Sequence, residues 1–567
     1  MYDVIIRGGD VIDGTGAPRQ RADVGITADR ITKIGDLSEA DAAQIIDATD
    51  RVVTPGFVDV HTHIDAQVFW DTTVSPSPLH GVTTVIGGNC GFSVQPLGTN
   101  PADADYLMRM LSRVEGMPLN SLEAGVPWNW NTTAEYLDAL ENTLSINAGF
   151  MVGHSAIRRV VMGADATRRE ATEHELNQMC DLLRAGLEVG GIGFSSSWSS
   201  THNDTEQNMV PSRYASRAEL IALSGVLADF PGTSLEFIPT IGPFGEVIAN
   251  LMADMSIAAN APLNWNVLVV FPKALDACYE KLSASDVAAA RGAKVVGLTA
   301  PMSLDFRMSF ANGFLLDAVP GLEEVMLLPR AEKLALLGDP VERARLGEIA
   351  AANHNMRHFT NWAKMTIFHT VAPENQAYLD RNIGEIAAEL GCSPWDTLCD
   401  IAIADDLDTS FGHPSADEPD ETWDARLQVW RDERAVIGAS DVGAHLDMFF
   451  SGNYATVTLR EAVVKRHLLP LEEAVNLLTA VPADLYMLRD RGRLVEGAFA
   501  DLIVFDEHTV GSGPMAMRND LPAGAARLYA EAEGIDCVLC NGVEIVRDGE
   551  FTSARPGTIL RSGTHTG

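Results

Sequence analysis

The chain has 567 residues, 46% of them hydrophobic, which suits a large domain plus a smaller partner rather than one ordinary domain. Asp and Glu number 78 against 41 Lys and Arg, a net charge of −37; such a surface repels phosphate backbones and anionic lipids and argues against nucleic-acid or membrane partners. The seven cysteines are too sparse for a disulfide framework, the start MYDVIIRGGDVIDG lacks a secretory-signal pattern, and no run approaches the ~20 apolar residues of a membrane span, so a reduced, cytoplasmic protein is expected.

Residues 1–54 read as short strands between turns (YDVIIRGG, ADVGITADRITKIGD, QIIDATDRVVTPG), the first part of a small β-sandwich. Residues 55–484 alternate. Eight apolar runs end in polar residues: FVDVHTH, TTVIGGNCG, NAGFMVGHS, GGIGFSSS, TSLEFIPTIG, PLNWNVLVV, AKVVGLTAP and AVIGASDVG. Helical patterns such as ATEHELNQMCDLLRAGLEVG and RAELIALSGVLADF lie between several of them. The alternation predicts an α/β fold with a parallel sheet, and eight runs predict a (β/α)8 TIM-like barrel with its polar strand ends gathered on one face. Around 303–433 the pattern breaks into helical stretches (EKLALLGDPVERARLGEIAAANHN, NIGEIAAEL) and a polar loop, HPSADEPDETWD. This reads as a helical excursion before the last strand, with a lid, helical packing and an oligomer surface as alternatives. Residues 485–567 return to strand patterns (ADLIVFD, DCVLCNGVEIVRDG) and predict the second part of the sandwich, so that both chain ends meet. Cys537 and Cys540 fall on opposite faces of one such strand and read as buried structural thiols.

The strongest chemical signal is His61-Thr62-His63 at the end of the first apolar run. Residues two apart in a strand point to one side, and neutral imidazoles are good transition-metal ligands. Asp441, in Gly438-Ala439-Ser440-Asp441-Val442-Gly443-Ala444-His445, ends the last predicted strand, beside the first in a closed barrel. A carboxylate there can bind a metal through one oxygen and take a proton from water with the other; the alternative is a helix-capping Asp. Cys90, among glycines at the end of the second strand, offers a thiolate, although a lone Cys is more often a small buried hydrophobe. His202, Arg158, Arg213 and Lys364 could each meet a substrate carboxylate, and nothing in their spacing selects one. Trp128 and Trp130 either line a pocket or pack.

Together TPGFVDVHTH, HGVTTVIGGNCGFS, VGHSAIR, GFSSS, GASDVGAHLD and DRGRLVEGAFADLIVFD resemble the D-aminoacylase branch of the amidohydrolase superfamily, the N-acyl-D-amino-acid deacylases, over nearly the whole chain. The resemblance implies a barrel with a small β-sandwich from both termini and hydrolysis of an amide, cyclic amide or carbamate by metal-activated water. It assigns His61, His63, Cys90 and Asp441 to metal positions and Asp441 to general base and acid. It also marks His154, which either faces substrate or makes a structural hydrogen bond; His445, four residues after Asp441, either orients that carboxylate, binds substrate or simply sits in the following loop or helix, and Arg158 stays a candidate for substrate binding. The family's two further His ligands are missing: the matching strands SLEFIPTIG and PLNWNVLVV offer Glu236 and Asn264 or Asn266. The expected cofactor is therefore one Zn2+ ion, with a second, Glu236-assisted ion as the alternative. The expected partner is a small-molecule substrate, a homo-oligomer staying open. Ester or lactone hydrolysis on the same centre and a non-catalytic ligand-binding barrel are the rival readings.

Overall fold

The computed structural model describes residues 1–567 except 207, 303–304, 314, 318, 354–356 and 415–417. The chain opens with β1 (Tyr2–Val11), β2 (Gln20–Thr27), β3 (Arg30–Gly35), β4 (Ala42–Asp47) and β5 (Val52–Pro55). β1 runs through the turn predicted after YDVIIRGG, taking it up as a register shift between Ile6 and Gly9. Next come β6 (Phe57–Asp59), β7 (Val82–Gly87), β8 (Asn147–Phe150), β9 (Val152–Gly153), β10 (Gly193–Ser197), β11 (Ser234–Ile238), β12 (Leu263–Leu268) and β13 (Val295–Thr299). The excursion contributes β14 (Arg307–Met308), β15 (Thr366–His369) and β16 (Ser410–Gly412), and β17 (Ala435–Ile437) follows it. The chain ends with β18 (Leu502–Phe505), β19 (Gly511–Ser512), β20 (Ala516–Arg518), β21 (Arg527–Tyr529), β22 (Ala532–Glu533), β23 (Ile535–Cys540), β24 (Val543–Arg547), β25 (Glu550–Phe551) and β26 (Ile559–Leu560).

Two parallel sheets carry the eight predicted runs. One has the order β26-β8-β7-β6, the other β17-β13-β12-β11-β10-β9, and only Met151 separates β8 from β9. The segments that follow β6 and β17 are bonded to each other: Asp441 N donates to His61 O at 3.0 Å and His63 N to Val442 O at 2.6 Å. Within β11 and β12 the side chains alternate. Leu235, Phe237, Leu263 and Trp265 enter one buried core with the neighbouring helices, and Glu236, Asn264 and Asn266 alternate with them along the same two strands.

Eight helices accompany these strands: α1 (Pro101–Val114), α2 (Leu119–Gly125), α3 (Thr133–Leu140), α4 (His154–Met162), α5 (Glu173–Glu188), α6 (Arg217–Val226), α7 (Gly245–Ala259) and α8 (Leu275–Ala289). The sequence shows why α5 starts where it does. Thr172 accepts from Glu175 N while the Glu175 carboxylate takes Thr172 N–H, satisfying orphan amides reciprocally. The excursion has its own apolar core, including Phe310, Trp362, Trp395 and Phe411, and a three-stranded ladder β14-β16-β15. The predicted 332–355 helix is split by Asp339-Pro340 into two, because proline has no N–H to continue the ladder. His354 and Asn355 of that stretch, and residues 415–417 of the polar loop, lie outside the described residues.

The two chain ends form one nine-stranded sheet, β25-β24-β23-β18-β5-β1-β2-β3, with β4 beside β1. Leu502, Val504, Cys537 and Leu539 face the sheet's own core, and Ile503, Phe505, Val538 and Cys540 the core shared with the larger part of the chain. Cys537 and Cys540 thus point to opposite faces and stay unpaired. A buried polar joint links the parts: Asp501 accepts from Asn147 Nδ2 at 3.1 Å and pairs with Arg491, and Asn541 Nδ2 donates to Asn147 Oδ1 at 2.8 Å. The last residues return to the parallel sheets, where β26 pairs with β8 and Thr566 Oγ1 donates to Gly232 O. No helix among the described residues is long and apolar enough to cross a membrane.

Candidate metal centre

His61 and His63 follow β6, and Asp441 follows β17, so the bonds joining those two segments bring the three side chains together. His63 Nε2 lies 3.0 Å and His61 Nε2 3.5 Å from Asp441 Oδ1. Cys90, after β7, places Sγ 3.7 Å from His61 Nε2. Ligand bonds of about 2.0–2.3 Å in a tetrahedron put donor atoms roughly 3.3–3.7 Å apart, so the 3.5 and 3.7 Å spacings suit one cation such as zinc, and the 3.0 Å pair has to open by about 0.3 Å to admit it. Two overlapping groups of donors emerge, His61–His63–Cys90 and His63–Glu115–Asp441, each with its ligand atoms within 4.8 Å.

The backbone is bent to make this cluster. Asp441, His445 and Cys90 have φ of 63°, 50° and 56°, a left-handed conformation that non-glycine residues adopt at some cost and that concentrates at functional sites. Gly443 at φ 96° is required by its neighbours as well: a Cβ there would sit 2.5 Å from His63 O. Ser440 Oγ lies 2.7 Å from Asp59 Oδ2 and 3.0 Å from His61 O, locking the last segment onto the first.

Carboxylates crowd this buried space. Asp59, Asp65, Glu115 and Glu236 are each no more than 3% exposed, and among the described residues none has a Lys or Arg ion-pair partner. Burial pushes Asp59 up to about 7, Asp65 to about 6, Glu115 to about 7 and Glu236 to about 8. Burial, followed by the fields of Glu236, Glu115 and Asp441, raises the Cys90 thiol well above its usual range. Burial opposes protonation of His63, but Glu115 and Asp441 outweigh it and hold the imidazole up to about 10. Burial also opposes ionisation of Asp441, whose two imidazole neighbours nevertheless keep it well below the carboxylate range. A cation would relieve this excess of negative charge and deprotonate the thiol. The chemistry of the donor set therefore fits a metal, and the Asp441 side chain, 31% exposed, leaves it an open side.

The middle strands differ from a second metal-binding half. Glu236 Oε2 accepts Cys90 N–H at 2.7 Å, and Oε1 stands 4.0 Å from the sulfur. Asn264 Nδ2 donates to Leu235 O and Tyr486 Oη. Asn266 Nδ2 lies 3.4 Å from His61 Nε2 and 3.6 Å from Cys90 Sγ, while its Oδ1 is buried without a protein partner.

The other predicted residues divide. His445 joins the site's edge, its N–H donating to Glu115 O and burial holding its imidazole down to about 4. His154 takes the structural hydrogen bond that is the alternative to substrate, and Arg158 joins it in a fully buried network: His154 Nδ1 lies 2.8 Å from Ser196 Oγ, and His154 Nε2 and Arg158 Nη1 both meet Glu219 Oε1. The physical reason is α4, which starts at His154 and turns both side chains towards α6, where Glu219 sits. Trp130 stacks on Phe69, 4.8 Å between ring centroids, and its indole donates to Val94 O, so it packs. Lys364 is exposed, and Arg213 donates to His202 O and Asn203 Oδ1. Sequence reasoning missed Glu115, the residue after α1, which no motif or spacing marks. It gave His202 no special place, yet His202 is half-buried beside Phe92, bonded to Ser197 Oγ at 2.7 Å and within the field of His63 and Asp441.

The chain matches the Amidohydrolase family model over residues 44–546. It is 29% identical to a D-aminoacylase of Alcaligenes xylosoxydans xylosoxydans, covering 99% of this chain and 97% of that protein. It is also 29% identical to an N-acyl-D-glutamate deacylase of the same organism, covering 99% and 96%. Among solved structures it resembles a D-aminoacylase described for the functional role of its binuclear metal centre, with TM-score 0.65, 26% identity and 99% and 100% coverage.

Proposed function

The chain belongs to the amidohydrolase family, and from that premise we propose that His61, His63 and Asp441, with Cys90 beside His61, hold one zinc ion with which the protein hydrolyses an N-acyl amino acid. It is a metal-dependent hydrolase of carbon–nitrogen amide bonds. The observation that carries the single-ion reading is the spacing of donor atoms around Asp441 Oδ1, 3.0 Å to one imidazole and 3.5 Å to the other. By the resemblance, Glu236 and Asn264 or Asn266 take the place of the family's two further His; Glu236 is bonded to Cys90 N–H and an amide is a poor zinc ligand, which favours one ion over two. Two parallel sheets bonded across their free ends support a (β/α)8 barrel spanning 55–484, with 1–54 and 485–567 as a sandwich-like companion. Seven unpaired cysteines agree with a cytoplasmic protein.

A bound cation supplies Lewis-acid polarisation of the scissile carbonyl and lowers the pKa of the attacking water. The protein does the rest. Asp441 Oδ1 faces both imidazoles, which leaves Oδ2 to accept the water's proton as oxygen attacks the carbonyl carbon. The same carboxyl then gives that proton to the departing nitrogen, the C–N bond breaks, and a carboxylic acid and an amine leave. Ser440 and Asp59 hold the Asp441 turn against His61, keeping the carboxylate in reach.

The test is a hydrolysis screen of D- and L-N-acyl amino acids with metal analysis of the same sample. One zinc per chain and turnover of at least one amide are expected. Asp441→Asn at saturating zinc is expected to lower kcat by about 10²–10⁴-fold. No amide turnover by the zinc-loaded protein, or full activity in Asp441→Asn, would sink the reading.

A further inference from the structure

We propose that Glu115 is a positioning residue: its carboxylate, 3.4 Å behind Nδ1 of His63, draws the ring proton to that nitrogen and so leaves the Nε2 lone pair to the cation. The inference rests on the cation reading above and gives Glu115, which the donor geometry groups with His63 and Asp441, a role behind the imidazole rather than on the cation. Glu115 Oε1 lies 3.4 Å from His63 Nδ1, while Nε2 of the same ring lies 3.0 Å from Asp441 Oδ1. The imidazole is thus spanned by two carboxylates, one at each nitrogen. A neutral imidazole has one donor and one acceptor nitrogen, and only the acceptor can ligate. If Nε2 ligates, the proton must sit on Nδ1, where Glu115 is the carboxylate in reach.

The backbone holds Glu115 to this task. Its N–H closes α1 on Leu111 O at 2.9 Å, and its carbonyl accepts from His445 N. Gly116 follows at φ 57°, where a Cβ would lie 3.1 Å from His445 Cα. The turn after α1 is therefore pressed against the segment that carries Asp441, and one contact fixes the positions of His63 and Asp441 together. The arrangement is one-sided: among the described residues His61 Nδ1 is buried without a hydrogen-bond partner, whereas His63 has a carboxylate behind its Nδ1.

The experiment compares full-length wild type with Glu115→Ala, Glu115→Gln and Glu115→Asp. It reads zinc affinity by chelator competition, zinc per chain, the visible spectrum of the cobalt-substituted protein, and metal-free melting. Glu115→Ala is expected to weaken zinc binding by roughly 10–100-fold. Glu115→Gln should recover much of this, since its amide oxygen still accepts Nδ1–H, and Glu115→Asp should recover less, because its carboxylate is withdrawn by one methylene. The cobalt spectrum should shift in Glu115→Ala with the metal count unchanged. Should Glu115→Ala not fold, the order Gln above Asp decides. Wild-type affinity in Glu115→Ala, or in Glu115→Asp, would overturn the proposal while leaving the cation reading intact. Two zinc ions per wild-type chain falling to one in Glu115→Ala would make Glu115 a ligand and also overturn it. A wild-type protein that binds no zinc would overturn both readings.

Discussion

Glu219→Gln separates a structural from a substrate-binding role for the VGHSAIR segment. Arg158 and Glu219 have side chains 0% and 2% exposed, and Glu219 Oε1 serves both Arg158 and His154 Nε2. Removing the charge leaves the guanidinium buried with Arg169 O, at 2.9 Å, as its remaining bonded acceptor apart from a neutral amide. Breaking one side of a buried ion pair costs about 3–5 kcal/mol. Two hydrogen bonds to a charged group, at roughly 1.5–3 kcal/mol each, reach the same range. A loss of about 3–4 kcal/mol is expected, since the glutamine oxygen keeps part of one bond. The exposed pair Arg330–Asp408, 44% and 47% exposed, serves as the control, and Asp408→Asn should cost less than about 1 kcal/mol. Urea midpoints followed by tryptophan fluorescence measure both, alongside KM and zinc content. A Glu219→Gln protein losing under about 1 kcal/mol, or one with unchanged stability and a raised KM, would refute the argument and return His154 and Arg158 to the substrate.

The acid–base state of the cluster predicts how cation affinity depends on pH. Glu115 and Asp441 hold the metal-free His63 imidazole up to about 10 against burial, above its ordinary 6.5, so a cation must displace that proton. Zinc affinity should fall as pH drops from 9 to 6, by about tenfold per unit for the His63 proton alone and more steeply where the Cys90 thiol proton is released with it, and a flat profile in chelator competition would contradict it. By linkage, this proton stabilises the metal-free fold fully below about pH 6.5, and the contribution is lost as pH rises through about 10. Gly193→Ala, in β10, should prevent stable folding, because a Cβ there overlaps the Ser234 carbonyl oxygen of the paired strand. Soluble expression with wild-type melting would show that this ladder can part.

Much of the architecture is legible in the sequence because each β/α unit is local. An apolar run such as TSLEFIPTIG is buried on both faces, a condition that shows in composition alone. His61, His63 and Asp441 are legible because polar residues at the ends of such runs have few structural reasons to be there. Glu115 is not: it is one acid after one amphipathic helix, and only the folded chain brings its carboxylate to His63. The β14-β16-β15 ladder escapes for another reason, since strands of two to four residues are too short to show a period. His154 stays open between two readings in the sequence because a motif marks that a residue matters without saying whether it meets ligand or Glu219.

The return of the chain's end to its beginning governs how the molecule can be made. Val53 of β5 pairs with Val504 of β18, and Ala148 of β8 with Ile559 of β26. On a ribosome adding 5–20 residues per second, β8 waits roughly 20–80 s for its neighbour. Through that interval apolar strand edges face solvent with nothing to pair with, open to other nascent chains. Such long-range pairing folds slowly, so production of this protein depends on chaperone capacity and temperature during synthesis more than the stability of its finished form suggests.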